Sequence, residues 1–443
     1  MRIARVWTMT SSPANLSPIH TAYVWIWLPK RSEPVVAGRL DVVSDVITFT
    51  YGRSYLSRPD AIPIYRDLPL KAGTQYPDAG LLIHGSIRDA APDAWGRRVI
   101  LERLAGRRGR DADTASLGEL VYLTESGSDR VGALDFQKSA ARYHPRLAAN
   151  ADLGELMTAA DRIDRGESLS PELDRALQHG TSIGGARPKA LIDSHERKYV
   201  AKFSSRLDPF SMVKAEYVAM RLAAHCGLQV APVRLQQVLD RDVLLVERFD
   251  RIPSEGRWHR RCMVSGLTLL GLDEMLARYA SYENLAHLIR ASFRAPDRTL
   301  EELFRRLVFN VLVGNTDDHA RNHSAFWDGE WLTLTPAYDL CPQSRIGGEA
   351  SQAMAIRADD RSSRLAACLG AASVFRLSPD AAKAMMAHQI KTITHYWHAV
   401  CHEAGLAPGE RARLWGRQFL NPFCIEGLDE DAPEVAAAVR TAI

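Results

Sequence analysis

The sequence predicts an α+β fold in at least two lobes, rich in strands through its first half and nearly all helix beyond Leu267. Three observations predict it. A chain of 443 residues is longer than one typical domain. Short runs of β-branched and aromatic residues, bounded by Gly, Pro or charged turns, recur up to about residue 250. After Leu267 apolar residues return at helical spacing instead.

Taken in order, Ala22 to Leu28 and Val46 to Tyr51 read as strands, and Gly38 to Val43 supplies a third between them. Residues 58 to 80 read as loop, broken by Pro59, Pro63, Pro69 and Pro77. A helical pattern follows in Arg88 to Ile100, with Asp89 as its expected N-cap and Trp95 as a core or lobe-contact aromatic. Arg97 and Arg98 suit either a solvated helix face or an acidic partner, and Arg103, Arg107, Arg108 and Arg110 extend the basic stretch. Val131 to Phe136 reads as a closing strand, and residues 150 to 180 as a polar helical linker.

Gly180 to Lys189 is a small-residue loop, followed by the strand-like Ala190 to Asp193, a charged turn, and Lys198 to Phe203. Glycines let backbone N–H groups approach phosphate oxygens, and Lys189 and Lys202 add charge directed at one ligand. In isolation the Gly-Gly pair reads better as a plain hairpin turn. Val213 to Gly227 is a helical run with Glu216 near its start, where a glutamate can pair with Lys202 or simply favour the helix dipole. Val233 to Val238 and Val243 to Val246 read as paired strands, and residues 247 to 249 stand where a connector would hydrogen-bond an adenine ring. Helices are expected at 283 to 294, 299 to 313, 380 to 403 and 409 to 418. His388, His395, His398 and His402 are read as amphipathic surface or core residues, since a metal site needs a defined ligand set.

Composition narrows the classes. Hydrophobic residues make up 46% and charged residues 25%, as in soluble globular proteins. A net charge of +3 gives no argument for nucleic acid or membrane, and no apolar run reaches the length of a membrane helix. Six scattered cysteines without a C-x-x-C pair suit reduced thiols, and residues 1 to 18 lack a signal-type apolar core, so a cytoplasmic protein is expected.

The stretch Gly314 to His323 carries Asp317 and, five residues on, Asn322; Asp339 follows a strand-like run from Glu330 to Thr335. Phosphoryl transfer asks for a carboxylate to orient the attacking hydroxyl, and for an amide oxygen and a second carboxylate to hold magnesium. This Asp–Asn–Asp order is that of protein kinases, with Leu340-Cys341 in place of the kinase Phe-Gly. Alone, the pattern suits a solvated Asn/Asp-rich turn equally well.

With these pieces in order, the chain resembles the HipA family of serine/threonine kinase toxins. The matching stretches are Pro92 to Arg98, Val131 to Leu134, Ser182 to Lys189, Ala201 to Phe203, Val246 to Asp250, Asn315 to Asn322 and Ala337 to Asp339. Each is modest; their joint order over about 250 residues is specific. The resemblance implies a two-lobed protein-kinase-like fold. Its parts are an extra amino-terminal β-rich subdomain (1–140), an ATP-binding lobe (141–252) and an all-helical carboxy-terminal lobe (253–443). It implies ATP and magnesium, a cytoplasmic protein substrate such as the aminoacyl-tRNA synthetase of the best-known member, and a HipB-like helix-turn-helix antitoxin. DNA would be reached only through that antitoxin, and no membrane is implied. Asp317 would be the catalytic base, Lys202 the phosphate-binding lysine supported by Glu216, and Asn322 and Asp339 the magnesium ligands. Gly184, Gly185, Ala186, Arg187, Pro188 and Lys189 would close over the phosphates, Glu247, Arg248 and Phe249 would hold the adenine, and His319 and Tyr338 would complete the ATP site. Ser182 matches the serine such kinases phosphorylate on themselves. Arg187-Pro188 departs from the Gln-Glu of the best-known member, which puts the loop's closure in question.

Three other readings share parts of the pattern. A small-molecule phosphotransferase would need the Asp–Asn–Asp set but neither Ser182 nor the amino-terminal region. An inactive kinase-like co-repressor would not need the catalytic residues, all of which are present. A nuclease built on Asp317, Asp318, His319 and His323 would leave Lys202 and the 182–189 loop without a role.

Overall fold

The computed structural model describes residues 19–105, 113–147, 152–165, 167, 188–194, 196–204, 208, 210–345 and 347–443. Alternating apolar residues build a five-stranded antiparallel sheet at the amino-terminal end. Thr21–Ile26, with Ala22, Val24 and Ile26 buried, pairs with Val35–Val43 and with Leu134–Gln137. Val46–Tyr51 and the short Thr74–Gln75 complete it, so the expected third strand lies at the sheet's centre.

A second sheet has the order Lys189–Asp193, Lys198–Phe203, Arg241–Glu247, Val233–Val238. Period-two alternation gives it two different faces. Ala190, Tyr199, Ala201, Phe203, Val243 and Leu245 pack with Trp95, Val99, Leu156 and Met157 in one cluster. Trp95 is 0% exposed, so the Ala94–Ala105 helix is fastened to the back of this sheet. Leu244 and Val246 belong instead to the main core, with Val218, Leu222 and Ala223 of the Met212–His225 helix. Lys189 and Lys202 alternate out of the Trp95 cluster.

Two expectations about the Trp95 helix are corrected. Asp89 does not cap it: the helix begins at Ala94, and Asp93 accepts the Gly96 N–H at 3.0 Å. Asp89 instead accepts from the N–H and Oγ of Ser265, because the Pro92 turn separates it from the helix. Arg97 is half-buried and already paired within the chain. It makes a two-pronged pair with Glu119 and lies 4.6 Å from the Tyr122 ring centroid.

The carboxy-terminal lobe is mainly helical, with Tyr282–Ser292, Pro296–Val313, Pro379–Glu403 and Pro408–Leu414 close to expectation and Pro433–Ala442 in addition. It is not all helix. Cys262–Ser265, Ser324–Trp327 and Leu332–Leu334 form a three-stranded antiparallel sheet. Strands of three or four residues contain too few alternations to register as a period. Gly314 ends the Pro296–Val313 helix at φ +67, and a Cβ there would stand 2.7 Å from the Gln418 carbonyl oxygen. Glycine is therefore required where the chain turns into the Asp317 loop. Among the described residues no helix is long and apolar enough to cross a membrane.

Candidate active site

Lys189 and Lys202 face each other as cross-strand partners in the antiparallel hairpin. Like charges directly opposite are destabilising unless anions flank them. Three carboxylates do. Lys202 Nζ donates to Glu216 Oε1 at 2.6 Å and to the Asp339 carboxylate. Lys189 Nζ lies 3.7 Å from Asp93 Oδ2, a carboxylate from outside the sheet. Burial alone would lower the Lys202 ammonium; Asp339 and Glu216 outweigh it and hold the pKa above the ordinary lysine value. At Lys189 burial prevails and the pKa is lowered, with Asp93 pulling the other way. Loss of water pushes Asp339 up, but Lys202 dominates and its carboxyl falls to about 2. Asp339 has φ +60, a left-handed conformation that Asp tolerates and that turns the chain immediately after Tyr338.

The opposite side of the cleft is the loop from Gly314. Asp317 is exposed and makes no side-chain hydrogen bond among the described residues. Its carboxyl is raised above the ordinary value, first by loss of water, with His319 lowering it and Asp339 and Asp318 raising it. Asn322 Nδ2 donates to the Asp317 carbonyl at 3.3 Å, which directs its amide nitrogen inward and leaves the oxygen as its ligand atom. A carboxylate and an amide oxygen are hard donors of the kind magnesium takes, so the residues present fit that ion. Nδ1 of His319 is buried without a hydrogen-bond partner among the described residues.

The loop is held by a network of anchoring contacts that the sequence does not reveal. Asp318 is buried and accepts from the Tyr282 hydroxyl and from His323 Nε2. Asn310 Nδ2 donates to the Tyr282 hydroxyl at 3.3 Å, and Asn315 Nδ2 donates to Asn310 Oδ1 at 3.0 Å. Tyr338 donates to the Arg321 carbonyl at 2.6 Å and lies 2.6 Å from Ser324 Oγ. One signal was available: Asn310 interrupts the otherwise apolar run from Leu307 to Val313. Asp318 and His323 are bonded to one another inside the lobe, so neither is placed as the exposed metal ligand a nuclease would need.

In the 247–249 segment, the Glu247 N–H donates to the Pro232 carbonyl and the Arg248 N–H to the Lys198 carbonyl, each at 2.8 Å. The Phe249 N–H has no partner among the described residues. The Phe249 ring lies 5.7 Å from Tyr338 and 5.8 Å from Phe326. Arg248 turns away from the cleft. Its guanidinium pairs with Asp250 and, at 3.0 Å, with Asp129. Pro188 and Lys189 are described; Ser182, Gly184, Gly185, Ala186 and Arg187 lie outside the described residues.

Asp250 gives a pH prediction. Burial would raise its carboxyl, yet Arg248 and Arg251 bring it from 3.8 to about 2. A carboxyl depressed in the folded state stabilises the fold above its unfolded pKa and loses that contribution as pH falls through the folded value. The contribution is about 2 kcal/mol, complete above about pH 4 and lost towards pH 2. Urea unfolding from pH 5 to 2 should therefore steepen in that window, and Asp250→Asn should flatten it. An unchanged profile in that variant would refute the assignment.

Two lobes, a strand-borne lysine paired to a helix glutamate, and a facing loop with Asp317, Asn322 and Asp339 define a protein-kinase-like fold. The solved Shewanella oneidensis complex of HipA, HipB and operator DNA shares it, with a TM-score of 0.65 over 92% of this chain and 95% of that one at 20% identity. Residues 181–397 match the HipA-like C-terminal domain. Residues 181–397 thus belong to the HipA-like C-terminal domain family. It is 31% identical over 183 residues to the serine/threonine-protein kinase toxin HipA of S. oneidensis and 34% over 131 residues to Y4mE of Sinorhizobium fredii. These alignments cover 36% and 28% of this chain, and 42% and 31% of those relatives.

Proposed function

We propose that the chain is an ATP-dependent serine/threonine protein kinase of the HipA toxin type. The observation that carries this reading is the contact of Lys202 with both Glu216 and Asp339, beside a loop that presents Asp317 and Asn322. Lys202 and Lys189 supply positive charge for a triphosphate, and the Phe249 N–H, unpartnered among the described residues, suits an adenine edge as the Phe249 and Tyr338 rings suit its face. Asp317, exposed and without a side-chain partner among the described residues, accepts the proton of the attacking hydroxyl. Asn322 and Asp339 would hold magnesium, which supplies neutralisation of phosphate charge when bound. Two protein oxygens are too few to hold that ion strongly without nucleotide.

The acceptor is proposed to be a cytoplasmic protein, possible targets including an aminoacyl-tRNA synthetase, and Ser182 to be phosphorylated by the chain itself. The proposed partner is a HipB-like helix-turn-helix antitoxin, through which DNA is reached; the solved HipA neighbour is in complex with HipB and operator DNA. The test is phosphoproteomics after brief induction, paired with calorimetry of magnesium on the purified protein. New phosphoserine or phosphothreonine on cellular proteins, and magnesium binding that is tight only with ATP, are expected. Transfer to a small molecule with no protein acceptor, or tight magnesium binding to the free protein, would overturn the reading.

A further inference from the structure

The 247–249 connector is held from outside its own lobe. Arg248 and Arg251 both reach the segment Asp129 to Gly132, which precedes the Leu134–Gln137 strand of the amino-terminal sheet. Asp129 Oδ1 lies 3.0 Å from Arg248 Nη1 and accepts from Arg251 Nε and Nη2 at 3.0 and 2.8 Å; Oδ2 accepts from Lys198 Nζ at 3.0 Å. The Arg130 carbonyl accepts from Arg248 Nη2 at 2.6 Å, and the Gly132 carbonyl accepts from Arg251 Nη1 at 2.9 Å. Asp250 closes the set by accepting from both guanidiniums and from the Gly132 N–H. Both arginines are buried, so each needs its carboxylates: removing one partner of a buried pair leaves an uncompensated charge.

We infer that Asp129 is a positioning residue for nucleotide binding: through Arg248 the amino-terminal subdomain fixes the backbone of Glu247 to Phe249 and so sets affinity for the adenine end of ATP. The inference rests on the reading of that connector as the adenine site. The Asp129 contact with Lys198 adds a second hold, because the Lys198 carbonyl accepts the Arg248 N–H. With Asp129 neutral, Arg248 and Arg251 would share Asp250 alone and repel one another. The connector would then lose its fixed position, while Lys189 and Lys202, anchored by Asp93, Glu216 and Asp339, would keep theirs.

The test compares ATP with inorganic tripolyphosphate, which carries the phosphates and lacks the adenine. Both are titrated into the full-length protein as wild type and Asp129→Asn. Loss of a charged hydrogen-bond partner predicts ATP binding weakened about tenfold, with tripolyphosphate affinity and kcat at saturating ATP changed less than about twofold. Equal weakening of both ligands would mean general damage and overturn the inference, as would unchanged ATP affinity. If wild type binds tripolyphosphate and not ATP, the connector reading fails first. Should Asp129→Asn not fold, Arg248→Lys keeps the charge and loses the fork; wild-type ATP affinity in that variant overturns the inference equally.

Discussion

Asp317→Ala is expected to lower phosphoryl transfer by about 10²- to 10⁴-fold, the contribution of a positioned general base. The carboxylate is exposed on the cleft side, and no side chain among the described residues competes for it. Lys189, Lys202, Glu216 and Asp339 hold one another without Asp317, so ATP affinity should change little. Asp317→Asn keeps the shape and loses the ability to take a proton, and should be nearly as inactive. The loss would show in kcat with KM for ATP almost unmoved, the signature of an interaction made in the transition state. Phosphate on Ser182, sought by mass spectrometry, should be absent from both variants. Retention of a tenth or more of wild-type transfer by Asp317→Ala would remove Asp317 from the role of base.

Trp95→Ala should be the most destabilising single change away from the cleft. The ring is 0% exposed and packed among Val99, Leu156, Met157, Tyr199, Ala201, Phe203 and Val243, so truncation leaves a large cavity behind the sheet. Such truncations cost about 3–5 kcal/mol. Trp95 Nε1 is buried without a partner among the described residues, so Trp95→Phe, which removes that donor and keeps an aromatic plug, should cost much less. Urea unfolding followed by circular dichroism distinguishes the two. A loss below about 1 kcal/mol for the alanine variant would mean that the helix does not anchor the lobe.

Much of this was legible because the signals are local. The Lys198–Phe203 strand alternates strictly, the Met212–His225 helix ends at Cys226 and Gly227, and the Asp317–Asn322–Asp339 spacing names its chemistry. Arg248 was not legible. Between a glutamate and an aromatic it reads as part of the adenine connector, and only the fold brings Asp129, 119 positions earlier, onto its guanidinium. Asp93 escaped for a related reason: its motif announces a helix start, while its second oxygen faces Lys189 across nearly a hundred positions. Tyr282 and His323 are ordinary residues in helical and turn contexts until Asp318 joins them. What sequence spacing conceals is which charges face each other across separate elements.

The lysine pair across the hairpin has one more consequence. Lys189 and Lys202 are already matched by Asp93, Glu216 and Asp339, so the cleft presents little net positive field to the surrounding water. On the reading proposed above, a triphosphate would meet no strong long-range pull, and its association rate would vary weakly with ionic strength. Phosphate would exchange places with carboxylates the protein already holds rather than with mobile counterions, making the site selective at contact distance and nearly silent beyond a Debye length.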